Sequence, residues 1–69
     1  MVTFDLKEQE YIELNKVLKI LHLVNSGGEA NIFIENGEVK VNEVTEYRKR
    51  KKLRSGDVID FNDYHIQII

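Results

Sequence analysis

The spacing of the apolar residues changes partway along the chain, and that change admits only a mixed architecture. Leu14, Val17, Leu18 and Leu21 follow the i, i+3, i+4, i+7 rhythm of a helix with one buried face, while Glu13, Lys16 and Lys19 fall outside it. This helix is expected from about Ile12 and should fade near Val24-Asn25. Beyond Gly37 the rhythm is different. Glu38-Val39-Lys40-Val41-Asn42 alternates polar and apolar residues, as a half-buried strand does. Val58-Ile59-Asp60-Phe61, then Asn62-Asp63, then Tyr64 to Ile69 read as a terminal hairpin. Near the start, Thr3-Phe4-Asp5-Leu6 is β-prone and supplies a further short strand.

Between the two regimes lies Ser26-Gly27-Gly28-Glu29. Serine at the N-cap with glutamate three residues later is the signature of a capping box. The hydroxyl accepts from the N3 amide, and the carboxylate reaches back to the N-cap amide. A second helix is therefore expected from about Gly27 to Glu35, with Ala30, Phe33 and Ile34 inward and Asn36-Gly37 ending it. Two glycines in a first helical turn leave amides that a phosphate could approach, a reading that competes with the purely structural cap. Together the elements predict one α+β unit over residues 1–69: two adjacent helices packed on a small, mostly antiparallel sheet.

Composition narrows the function classes. With 69 residues, no cysteine and no proline, the chain has no disulfide framework, no thiolate zinc site and room for one small core. No apolar run approaches the roughly 20 residues that span a bilayer, and the first residues lack the pattern of a secretion signal. A cytoplasmic protein without a membrane partner is expected. The net charge is −2, yet six of the ten basic residues fall in the seven positions Arg48, Lys49, Arg50, Lys51, Lys52, Leu53, Arg54. The remaining four lysines face all twelve acids, a balance of −8. Local potential governs binding more than net charge does, and this segregation points to a polyanion at the basic segment.

These residues resemble a known family. Leu14 and Leu18-Lys19, then Ser26-Gly27-Gly28-Glu29-Ala30, then Gly37 to Asn42, then Lys52-Leu53-Arg54-Ser55-Gly56-Asp57-Val58-Ile59 look like the S4-like RNA-binding domain. That domain recurs in a small-subunit ribosomal protein, pseudouridine synthases, tyrosyl-tRNA synthetases and a heat-shock ribosome-binding protein. The short, stand-alone bacterial proteins of the YaaA type are the most similar subgroup, and the resemblance runs from about Tyr11 to Ile69. It implies an αL surface that holds structured RNA by backbone and shape, with ribosomal RNA during ribosome assembly as the expected target. By position, the resemblance places Ser26, Gly27, Gly28, Lys40, Asn42 and the Arg48–Arg54 segment on or near that surface. The chain departs from the family pattern in three places. Gly27 and Asn31 stand where arginine and lysine are common, and Glu43 stands where a glycine follows the Val-Asn pair. The missing charges shift weight from the second helix to the basic segment.

Arginine and lysine suit phosphates because they stay charged, and arginine can donate two parallel hydrogen bonds. If extended, the basic segment would span about 23 Å and could track one strand of an A-form duplex. Tyr47 beside it could stack on an exposed base. Four engaged cations would give a log–log salt slope of about −3. The competing readings are a solvated, solubilising loop, a nuclear-localisation signal, or a module that docks the acidic surface of a protein partner. His22 and His65 are too far apart for a standard metal motif. Glu8, Glu10 and Glu13 come without a nucleophile, and Gly27-Gly28 is not followed by Gly-Lys-Ser/Thr. A monomer with no cofactor, no metal and no catalytic residues is expected.

Overall fold

The computed structural model describes residues 1–69. In chain order the elements are β1 (Val2–Phe4), β2 (Ile12–Glu13), α1 (Leu14–Ile20), α2 (Gly27–Glu35), β3 (Val39–Val41), β4 (Val44–Thr45), β5 (Lys52–Leu53), β6 (Val58–Phe61) and β7 (Tyr64–Ile68). Five strands form one sheet in the order β1-β7-β6-β3-β4, and β2 and β5 form a separate two-stranded ladder. All pairings are antiparallel except β1 with β7, which run parallel with Val2 opposite Ile66. This is the expected α+β fold, with two helices on a mostly antiparallel sheet.

Strand alternation decides which side chains meet the helices. Val39, Val41, Ile59, Phe61, Ile66 and Ile68 are all buried on one face of the sheet, and Leu14, Val17, Leu18, Ala30 and Ile34 of the helices join them in a single cluster. Phe33 is half-buried and packs its ring edge-on against Phe61, with centroids 5.2 Å apart and an interplanar angle of 64°. The opposite face of the sheet carries Lys40, Asp60 and His65 in one cross-strand row.

Helix α2 has the expected bounds, and Ser26 Oγ accepts from the Glu29 amide at 3.1 Å. The return contact differs from a regular capping box. The Glu29 carboxylate accepts from the Asn25 amide at 3.1 Å, one residue before the N-cap, with the Asn25 side chain adding a second contact. At the other end the Gly37 amide donates to Ile34 and the Glu38 amide to Phe33, the paired bonds of a Schellman motif, with Gly37 at φ +79°.

Helix α1 is shorter than its apolar rhythm suggests. Ile12 and Glu13 are strand, not helix, because they pair with Leu53 and Lys52. The far end closes at Leu21 rather than near Val24. There the His22 amide donates to Lys19 and the Leu23 amide to Leu18, the same Schellman pattern with His22 at φ +59° where glycine is usual. Leu21 thus keeps its inward position as the C-cap, while Val24 turns back into the core.

Two further elements lie outside the expected set. Asn42 and Glu43 both adopt positive φ, at +52° and +70°, and form a two-residue turn that folds β4 back onto β3. The basic segment is not extended. The Lys51 amide donates to the Arg48 carbonyl, which closes a turn over Arg48–Lys51 before Lys52 and Leu53 enter the ladder with β2.

A basic loop docked on the first helix

Leu53 is fully buried and anchors the basic segment from below. The turn above it is fixed through its backbone. The Lys51 carbonyl accepts from the Leu14 amide at 2.9 Å and the Lys49 carbonyl from the Asn15 amide at 3.1 Å. Helix α1 has no capping side chain at its N-cap, Glu13, so loop carbonyls satisfy amides that would otherwise lack partners. With the loop's carbonyls turned to the helix, the side chains of Lys49, Arg50 and Lys52 stay exposed, and that of Lys51 is half-exposed.

The six cations of the segment are not equivalent. Arg48 donates from Nε and Nη2 to the two carboxylate oxygens of Glu46, at 2.9 and 3.1 Å, and from its amide at 3.0 Å. Glu46 is largely covered, its side chain 12% exposed. The Arg48 hydrogen bond holds the Glu46 carboxyl below the usual glutamate range, outweighing the opposing effect of burial, and raises the Arg48 guanidinium in turn. Arg54 shares an exposed ion pair with Glu10 at 3.3 Å. Lys49, Arg50, Lys51 and Lys52 make no ion pair within the protein. Lys52 instead lies over the ring of Tyr11, 4.9 Å from its centroid, with the Arg54 guanidinium 5.8 Å away. This contact of Tyr11 was not legible in the sequence, because its partners lie in and just after β5, some forty positions later.

The other candidate residues divide into three places. Tyr47 is 62% exposed at the start of the loop, its ring edge against Gly37, where an added Cβ would stand 3.1 Å from the ring. Ser26, Gly27 and Gly28 open helix α2. The two glycine amides donate to nothing in the protein, and a Cβ at Gly27 would meet no atom within 4 Å. Asn15 links this helix to the loop: its amide meets Lys49, and its side chain donates to Asn31 across the helix pair at 3.0 Å. Gly27 and Asn31 are four residues apart and share a face.

Asn42 is exposed but engaged. Its side chain donates to Asp57 at 3.0 Å and accepts from the Val58 amide at 2.9 Å, while the other Asp57 oxygen accepts from the Arg54 amide at 2.8 Å. The pair ties the β3–β4 turn to the turn after the basic segment. Lys40 stands apart, on the sheet face turned away from the helices, between Thr45 and Asp60. No three His, Asp or Glu side chains are grouped to hold a metal ion. No helix is long and apolar enough to cross a membrane.

This arrangement has close counterparts among known proteins. YbcJ of Escherichia coli, named as a candidate RNA-binding protein, is 36% identical over 69 residues, which is 100% of this chain and 99% of the relative. RlbA of Bacillus subtilis, named as a candidate ribosome maturation protein, is 35% identical over 57 residues, covering 83% of this chain and 80% of the relative. The solution structure of Escherichia coli YbcJ, described as revealing an αL motif involved in RNA binding, matches with a TM-score of 0.76 over 100% of this chain and 87% of that one. The family model of the S4 domain matches residues 4–69, essentially the whole helix pair, sheet and basic loop, and the chain therefore belongs to the S4 domain family.

Proposed function

We propose that residues 1–69 act as a single, non-catalytic RNA-binding domain that grips structured RNA, ribosomal RNA foremost, by phosphate and shape contacts. The observation that carries this reading is the docked loop. Four cations outside any ion pair, Lys49, Arg50, Lys51 and Lys52, project from a backbone that the α1 amides hold in place. A loop backbone fixed before binding spares the entropy of ordering it when its cations meet a regular array of phosphates. In this reading Arg48 shapes the loop through Glu46, and Arg54 adds a contact shared with Glu10. The Gly27 and Gly28 amides offer a second phosphate contact at the start of α2. Tyr47 is placed to stack on a base at the loop's edge, whereas Asn42 acts through Asp57 on the presentation of Arg54. Lys40, on the far face of the sheet, has no part in this surface.

The name of YbcJ supports RNA as the partner, and that of RlbA favours a role in ribosome maturation; such a role would place the protein in the cytoplasm. The test is a titration of hairpin RNA at several salt concentrations. Micromolar or tighter binding that weakens with salt is expected. Absence of binding at low salt sinks the reading, and a pull-down of protein that survives nuclease would favour an acidic protein partner instead.

A further inference from the structure

The ladder that anchors the basic loop has an outward face of its own. Ile12 pairs with Leu53, both buried, so alternation turns Tyr11, Glu13, Lys52 and Arg54 to the opposite side. Tyr11 is 37% exposed there, with its ring beside the two cations. The same tyrosine lines a cleft of about 760 Å³ between the segment after β1 and helix α1, which falls within the size range of small-ligand sites.

The lining of this cleft is neutral and mixed. Phe4, Leu6, Ile12 and Ile20 supply apolar surface, while Thr3 and Gln9 supply hydrogen-bonding groups. Its charges cancel, Lys7 and Lys16 against Asp5 and Glu13, and Lys16 is already paired with Glu13 at 3.3 Å. A phosphate would find no net attraction inside. The rim is also held in advance: the Leu6 amide donates to Ile69, the Gln9 amide to Leu6, and the Lys7 amide to the Asp5 carboxylate. The lining carries no net charge and includes the Tyr11 ring, which favours a flat, uncharged occupant with polar edges, and Lys52 and Arg54 stand beside that same ring.

We infer that this cleft takes one unpaired nucleobase of the RNA whose phosphates the basic loop holds, stacked against Tyr11. The inference rests on the RNA-binding reading and sharpens it. The target is then a duplex adjoined by an unpaired nucleotide rather than a blunt helix. Stacking on an aromatic ring tolerates any base, so the site selects for an unpaired position more than for its identity.

The experiment compares a blunt RNA hairpin with the same hairpin carrying a short single-stranded overhang that contains 2-aminopurine. The overhang is expected to tighten binding by the native protein about tenfold, with a change in 2-aminopurine emission on binding. Tyr11→Leu keeps an apolar cover over the ladder but removes the aromatic face. It should bring the two affinities to within about twofold and abolish the emission change. The readout is a ratio within one protein, so a general weakening cancels. Equal affinities for both hairpins in the native protein, or a preference that survives in Tyr11→Leu, overturns the inference while leaving RNA binding intact. Failure to bind either hairpin removes the RNA reading itself.

Discussion

Arg48 and Glu46 form a two-point ion pair that joins the basic loop to the strand region behind it, with the arginine on the exposed side and the glutamate largely covered. The carboxylate is also the acceptor of the Arg48 amide, so one acidic group fixes both the side chain and the backbone at the start of the loop. One of the six basic residues of the segment is thus committed to a carboxylate of the protein itself.

The lowered Glu46 pKa makes this contact pH-dependent. A depressed carboxylate adds stability above its unfolded value, about 4.3, and loses that stability as the pH falls through the lower folded value. Arg48→Ala should therefore be less stable than the native protein at neutral pH, with the gap closing as the pH drops below about 4.3. Paired denaturant titrations at pH 7 and between pH 4.5 and 2.5 measure it. A constant gap across that range would show that the ion pair is not its source.

The salt dependence of RNA binding should count the free cations. With four engaged, the log–log slope is about −3, and Arg50→Ala or Lys51→Ala should each flatten it by about 0.7 to 0.9. Arg48→Ala should weaken binding by loosening the loop, with little change in slope. Titrations at four or more salt concentrations separate the two behaviours. An Arg48→Ala slope as shallow as that of Arg50→Ala would place Arg48 on a phosphate.

Of the six non-glycine residues with a left-handed backbone, two stand where a helix end or a hairpin turn favours glycine. His22 occupies the αL position after α1, and Glu43 the second position of the β3–β4 turn. His22→Gly and Glu43→Gly should each stabilise the protein by about 0.5 to 1 kcal/mol, the strain relieved exceeding the entropy that glycine adds to the unfolded chain. For a domain of this size that corresponds to a rise in Tm of about 2 to 8 °C. No change, or a fall, would mean that side-chain contacts at these positions outweigh the strain.

Gly37 presents the opposite case. A methyl group there would face both a φ of +79° and the Tyr47 ring at 3.1 Å. Gly37→Ala should cost about 1 to 2 kcal/mol. Adding Tyr47→Ala should recover the part due to contact and leave the part due to backbone strain. A double-mutant cycle in urea resolves the two.

The same residues explain what could be read from the sequence. Helix α2 was legible because Ser26 and Gly37 occupy the positions their chemistry favours, although Glu29 answers the Asn25 amide rather than that of the N-cap. The end of α1 was hidden because histidine stands where the stop signal would be glycine, and the β3–β4 hairpin because glutamate follows Asn42. The outline of the sheet could be read from alternation in β3, β6 and β7. The β2–β5 ladder could not, since two-residue strands carry no period. At the site, charge density marked the loop, yet nothing local showed that Arg48 answers Glu46 or that Tyr11 meets Lys52 from the other end of the chain.

The bonds from the α1 amides to the Lys49 and Lys51 carbonyls have a dynamic consequence. The first turn of the helix and the loop cannot open independently, since each closes the other's free backbone groups. An anion held by the loop would therefore also slow fraying in a helix it need not touch. The hydrogen bond from Asn15 to Asn31 would carry that stiffening to the second helix. Occupancy of the loop would then be felt across the helix pair as a loss of motion, with no change of shape required.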